Sequence, residues 1–268
     1  MASILNNISA MSSRRHLALS QSGLNSTIGK LSTGMRITKA SDDAAGLQIS
    51  NNLRADIRIM SQAQRNANDG IGRIQVADGV LEEATNLLTR AAQLAEQAAS
   101  GTTSDAGRTA INSEFTEIKS ALDSLNTNTK IDGIAVFGST VDIRVGEDSG
   151  EVVSVATSEM SAEELGINDD EMSTTGDADT ALGNILDAIK TVSALRGTLG
   201  AKQQRLNTIV NSLGITSEST QQAESQIRDA DVAEEVVNLT KFQVLTQSGV
   251  SSLAQANQSA QSVLSLLG

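Results

Sequence analysis

Four residue types are missing from this chain of 268 residues: cysteine, proline, tryptophan and tyrosine. Without cysteine there is no disulfide framework, no thiol nucleophile and no thiolate metal site. Without proline no helix need be kinked or stopped by one, so long uninterrupted helices are favoured. Aromatic residues amount to 1%, namely Phe115, Phe137 and Phe242, against a hydrophobic fraction of 39%. The core must come from Leu, Ile, Val, Met and Ala, which suits closely spaced helices and argues against a deep aromatic-lined ligand pocket. The single histidine, His16, offers too little for a Ser-His-Asp triad or a two-histidine zinc site, and no HExxH motif exists. It reads as a helix-surface residue.

Positive charge is also scarce, with 20 bases against 32 acids and a net charge of −12. That balance disfavours nucleic acid and anionic membrane as partners. No run of about 20 apolar residues is present, so no membrane insertion is expected. The opening MASILNNISAMSSRRHLALS lacks the basic-then-apolar order and cleavage site of a secretory signal. Export, if it occurs, is expected by another route.

What the chain does have is heptads. From Val232 the spacing of four and three gives Val236, Leu239, Gln243, Thr246, Val250, Leu253, Asn257, Ala260, Leu264 and Leu267. A mostly apolar 3.5-residue period is the seam of a coiled coil. Near the other end, Leu17, Gln21, Leu24, Ile28, Leu31 and Met35 repeat the spacing and are the expected mate. The predicted seam therefore runs through Leu24, Ile28, Leu31, Val236, Leu239, Val250, Leu253, Leu264 and Leu267.

Between these ends, LSTGMRITKASDDAAG reads as an irregular connector, with Ser41 to Asp43 suited to capping a new helix. The longest period follows, through Leu53, Ile57, Met60, Gln64, Ala67, Ile71, Ile74, Asp78, Leu81, Thr85, Leu88, Ala92, Ala95 and Ala99. A turn cluster at Ser100 to Gly107 leads to a shorter helix with Ile111, Phe115, Ile118, Leu122 and Leu125 inward. After Lys130 the period becomes two, at Ile134–Val136, Val141, Ile143, Val145, Val153 and Val155. This predicts a small β-hairpin with a neighbouring strand over 131–156. Residues 157–180 are acidic and read as a short solvated loop. Counted from Asp177, an EF-hand would need glycine where Leu182 stands, so Asp169, Asp170, Glu171, Asp177 and Asp179 do not form one. Heptads return at Leu182, Ile185, Ile189, Val192, Arg196, Leu199, Gln203, Leu206, Val210 and Leu213.

The predicted fold is mainly α: a long antiparallel, coiled-coil helical rod with a small β-hairpin and paired N- and C-terminal helices. Paired termini bury one stripe each and leave long Ala, Ser, Gln and Asn faces bare. Copies packed side by side would bury them, which predicts a polymer whose termini fold on assembly.

LSTGMRITKASDDAAGLQISNNLRADIR, QRNANDGI and the tail IRDADVAEEVVNLTKFQVLTQSGVSSLAQANQSAQSVLSLLG resemble bacterial flagellin, over about 1–140 and 180–268. The resemblance implies an inner coiled-coil domain from 1–32 with 232–268, connectors at 33–43 and 226–231, and a rod domain at 44–225. The large outer domains common in longer relatives have no room here. It also implies an extracellular structural subunit of the flagellar filament, with no catalytic, cofactor or metal site. Its implied partners are further copies of itself, hook-junction and cap proteins, a secretion chaperone and the type III export apparatus. Arg90, Leu94 and Glu114 match the flagellin patch read by Toll-like receptor five. From the residues alone, Arg90 and Leu94 share a helix face and Glu114 lies on the antiparallel neighbour, an ordinary salt-bridged surface. Rival expectations are a hook–filament junction protein with the same terminal helices, and a non-polymerising coiled-coil ligand or adhesin.

Overall fold

The computed structural model describes residues 7–146 and 150–265. Among these residues there are five helices, α1 (Ile8–Thr33), α2 (Ala44–Ala99), α3 (Asp105–Asn128), α4 (Thr175–Arg228) and α5 (Val232–Ser265). Two small antiparallel hairpins, β1 (Lys130–Ile131) with β2 (Ile134–Ala135) and β3 (Ser139–Arg144) with β4 (Val152–Thr157), lie between α3 and α4 in sequence. The chain divides into two compact units, Met1–Ala55 with Ser219–Gly268, and Asp56–Glu218.

In the 56–218 unit, α2, α3 and α4 build one continuous core with the hairpins. On α2 the buried positions run Met60, Ala63, Ala67, Ile74, Ala77, Leu81, Ala84, Leu88, Ala91, Ala95 and Ala98, with buried Gly70 in the same series. The spacing is three and four, the coiled-coil period, with Leu94 buried beside Ala95 as the one addition. Every second member is Ala or Gly, so a neighbouring helix can approach closely there. The expected stripe shares Met60, Ala67, Ile74, Leu81, Leu88 and Ala95 with this seam. Its other members, such as Gln64, Asp78 and Thr85, are only half-buried flanks. On α4 the same period recurs through Ala178, Ala181, Ile185, Ala188, Val192, Leu199 and Leu206. Arg196 of α4 holds Asp78 of α2 through Nε at 2.8 Å. That hydrogen bond, ahead of the Coulombic attraction of Asp78 and Glu82, raises the arginine above its ordinary pKa.

Ser104 caps α3, its side chain accepting from the Gly107 N–H, and Ile111, Phe115, Ile118 and Leu122 face inward. The strand at 134–135 does not join the larger hairpin as expected. Asp132 and Gly133 both adopt positive φ, 51° and 75°, and turn the chain tightly so that Ile131 pairs with Ile134. In the larger hairpin Ile143 faces Val153 and Val141 faces Val155. Ile143 rests over Gly70, where a Cβ would stand 2.2 Å from its Cδ1. Arg73 reaches from α2 to the carbonyl of Ala135 and the hydroxyl of Ser139, and its burial lowers its pKa.

The solvated-loop reading of 157–180 is corrected. Met160, Ala162, Leu165, Ile167 and Met172 are buried in the core. Side chains of α3 fasten this strap by its backbone: Asn126 accepts from Met160 N–H, Asp123 from Ala162 N–H and Asn112 from Met172 N–H, at 2.8–3.0 Å. Lys119 donates to the carbonyls of Asn168 and Asp170. Glu159, Glu163, Glu164, Asp169 and Glu171 of the strap are exposed, half-buried Asp170 accepts from Asn184 Nδ2 of α4 at 2.9 Å, and the scattered apolar residues point in.

Candidate assembly interface

The other unit contains the terminal helices, and its chemistry is set by what it cannot bury. Asn7 caps α1 by accepting from Ala10 N–H, and donates from Nδ2 to the Ala256 carbonyl at 3.0 Å. Gly34, with φ at 70°, ends α1 in the left-handed conformation that glycine adopts at little cost. Asp231 caps α5, its Oδ1 accepting from Ala233 and Glu234 N–H groups at 2.8 and 3.2 Å. Two backbone hydrogen bonds tie the approaches to these helices together, Ala230 N–H to the Gly34 carbonyl and Arg36 N–H to the Arg228 carbonyl. Asp42 folds its own loop by accepting from the N–H groups of Lys39 and Thr38. Those bonds, Lys39 first, hold its carboxyl below the ordinary value of 3.8.

α1 and α5 pair antiparallel. Lys30 meets Glu235 at 3.2 Å, and Glu235 is only 8% exposed. A Cβ on Gly23 would stand 2.5 Å from the Phe242 ring, and one on Gly249 3.2 Å from Leu17. Glycines on each helix thus receive a large side chain from the other. The inward positions of α5 are Glu235, Leu239, Phe242, Thr246, Gly249 and Leu253, facing Leu17, Leu24, Thr27 and Leu31 of α1.

Of the sequence-predicted seam, Leu24, Leu31, Leu239 and Leu253 lie half-buried in this pair. Ile28, Val236 and Val250 are exposed and stand off it. Leu264 lies in α5, but its side chain, like Leu267, falls outside the described residues. A register started at Val232 coincides with the observed one only at Leu239, Thr246 and Leu253. Glu235, Gly249, Gly23 and Thr27 were missed because polar and small residues carry no apolar period, and Phe242 because a register started at Val232 puts Gln243 in its place. Glycines inside a helical pattern, with the one aromatic ring of α5, were the available signal.

The pairing leaves much uncovered. Ile8, Met11, Leu19 and Ile28 on α1, and Val232, Val236, Val237, Val244, Leu245 and Val250 on α5, are exposed. Ile37 is the one buried hydrophobic side chain among the described residues of this unit. No group of acids, histidines or cysteines that could hold a metal occurs among the described residues, and His16 is exposed. Among the described residues no helix is long and apolar enough to cross a membrane.

In the 56–218 unit Arg90 and Glu114 form an exposed ion pair at 2.8 Å. Leu94, four residues beyond Arg90, is 2% exposed and belongs to the core. The structure therefore presents the arginine and the glutamate together at the surface and withholds the leucine.

A helix pair that, among the described residues, fully buries no hydrophobic side chain and carries apolar stripes on its outer faces defines a self-assembling structural subunit. The model of the bacterial flagellin N-terminal helical region matches residues 4–142, and that of the C-terminal helical region matches residues 182–267. A flagellin of Halalkalibacterium halodurans is 36% identical, covering 98% of this chain and 99% of that protein. A flagellin of Treponema pallidum is 37% identical, again over 98% and 99%. The crystal structure of Bacillus cereus flagellin shares the fold, with a TM-score of 0.50 at 24% identity over 56% of this chain and 88% of that one. The chain belongs to the bacterial flagellin family. It is a structural, non-enzymatic subunit that polymerises into the extracellular flagellar filament.

Proposed function

We propose that the α1–α5 pair is the polymerising part of the subunit and that its outer stripes are buried between copies. The observation that carries this reading is the contrast between the two units. One hides a continuous core, whereas the other, among its described residues, has Ile37 as its one buried hydrophobic side chain and eleven large ones exposed, Ile49 with the ten on α1 and α5. Fully burying a Val, Leu or Ile contributes about 1.5–3 kcal/mol. A handful per copy is enough to drive association after the entropy of docking is met. Leu24, Leu31, Leu239 and Leu253 close each pair, while Ile28, Val236 and Val250 join neighbouring pairs. Heat-dissociated protein, seeded with filament fragments and viewed by electron microscopy, should regrow micrometre filaments. A protein that stays monomeric or stops at small oligomers would overturn this reading and favour the ligand or adhesin alternative.

The same stripes explain the partners implied by family membership. A secretion chaperone would cover α5 before export through the type III apparatus, and hook-junction and cap proteins would meet the stripes at the filament ends. For Toll-like receptor five, the Arg90–Glu114 pair is the accessible part of the patch. Arg90→Ala should weaken reporter-cell activation by monomer, and an inactive parent protein would remove the receptor from the list of partners.

A further inference from the structure

The exposed stripe of α1 contains a charge. Ile8, Met11, Arg15 and Leu19 follow one another at spacings of three and four on one helix face, and all four are exposed. Arg14 adjoins them. Neither arginine has an ion-pair partner among the described residues. None can come from nearby: α1 has no acid, and α5 has no charged residue after Lys241. Burying this stripe between copies would strand a guanidinium in an apolar contact, which costs several kcal/mol unless an anion meets it.

The acids of the 1–55 and 219–268 unit are nearly all engaged. Asp42 accepts the N–H groups of Thr38 and Lys39 in its own loop, and Asp43 accepts that of Gly46 in the first turn of α2. Glu224 meets Ser50 and Arg228, and Asp229 meets Ser225. Asp231 caps α5 and Glu235 holds Lys30. Glu234 alone has no partner among the described residues, and it is exposed. One turn on lies Val237, 64% exposed, just as Met11, 62% exposed, lies one turn before Arg14 and Arg15. In copies that all point the same way, α1 of one runs antiparallel to α5 of the next. That direction sets Met11 against Val237 while the arginines meet Glu234.

We propose that Arg14 and Arg15 of one copy pair with Glu234 of a neighbouring copy and fix the register of the filament. Within one copy the two sites are separated along the helix pair, because Leu17 lies at the level of Gly249 whereas Lys30 lies beside Glu235. The separation is about sixteen residues, so neighbouring copies are offset by roughly 24 Å along the axis at 1.5 Å per residue. The apolar contacts supply attraction at many registers, and the ion pair selects one. This inference rests on the polymerising role of α1 and α5, and its test separates the two.

Seeded growth is to be measured for Arg14→Glu with Arg15→Glu, for Glu234→Arg, and for the three combined. All these side chains are exposed, so each monomer should melt like the parent. Each reversal alone should raise the critical concentration about tenfold or more, the scale of one lost partly buried ion pair, and the combination should restore growth. As a control, Glu117→Arg, on an exposed acid of the other unit, should not rescue the arginine reversals. The pairing is overturned if Glu234→Arg grows like the parent, if the well-folded combination stays monomeric, or if Glu117→Arg rescues equally. Failure of the parent protein to grow would instead overturn the polymerising role itself. A helical reconstruction should place a guanidinium of one copy within about 4 Å of Glu234 of another, and clear separation of the two would also overturn the pairing.

Discussion

Val244→Asp separates assembly from folding. Val244 is 68% exposed on the outer face of α5, so the isolated subunit loses little by the change beyond a few tenths of a kcal/mol in helix propensity. In the filament two costs appear. The burial of the remaining valine surface, on the order of 1–1.5 kcal/mol, is forfeited. An unpaired carboxylate must also leave water, which costs about 2–4 kcal/mol where no partner meets it. Together these weaken subunit addition by roughly 3–5 kcal/mol, and each 1.4 kcal/mol is a factor of about ten in critical concentration. Growth should therefore require at least a hundredfold more protein, roughly, while circular dichroism shows the monomer melting as the parent does. Growth at the parental concentration would refute the assignment of this face to the interface. So would a collapse of the monomer's melting transition, which would mean that Val244 packs within the subunit.

Two further perturbations probe the rest of the molecule. Gly70→Ala places a Cβ 2.2 Å from Ile143 Cδ1, so the hairpin must shift, lowering the stability of the 56–218 unit by about 1–3 kcal/mol. Adding Ile143→Val removes that methyl and should recover part of the loss in thermal melts, whereas strictly additive losses would show that the contact is not the cause. Because hydrogen bonds to its charged form depress the Asp42 carboxyl, the order it gives its loop is complete above pH 3.8 and is lost as pH falls through its lower folded value. Amide resonances of Thr38 and Lys39 should follow that titration, and Asp42→Asn should abolish it; shifts centred at or above the ordinary value would contradict the hydrogen bonding.

The fold class was legible because long proline-free heptads leave few alternatives. Which face of each heptad points inward was only half legible. On α2 the large members of the seam, such as Leu81 and Leu88, stand out. Their alternating partners Ala77, Ala84 and Ala91 do not, because alanine is equally at home on a surface and Thr85 or Ile71 beside them look no worse. The strap at 158–174 escaped notice for a different reason. Its buried residues are irregularly spaced among acids, and its anchors Asn112, Lys119, Asp123 and Asn126 lie on α3, far away in sequence. At the terminal pair, Phe242 against Gly23 and Lys30 against Glu235 are polar or small–large matches that no apolar period reports. The first, smaller hairpin was announced by Asp132-Gly133, a turn signal lost beside the stronger alternation that follows.

Amide hydrogen exchange followed residue by residue in monomer and in filament is the most direct measurement of whether the terminal helices depend on their neighbours. In the monomer, amides over 8–33 and 232–259 should exchange quickly while those around Ile74 to Ala95 are protected to the level of global unfolding. In the filament both sets should be protected. Terminal helices as slow to exchange in an isolated copy as the α2 core would contradict the reading that they are held by other copies.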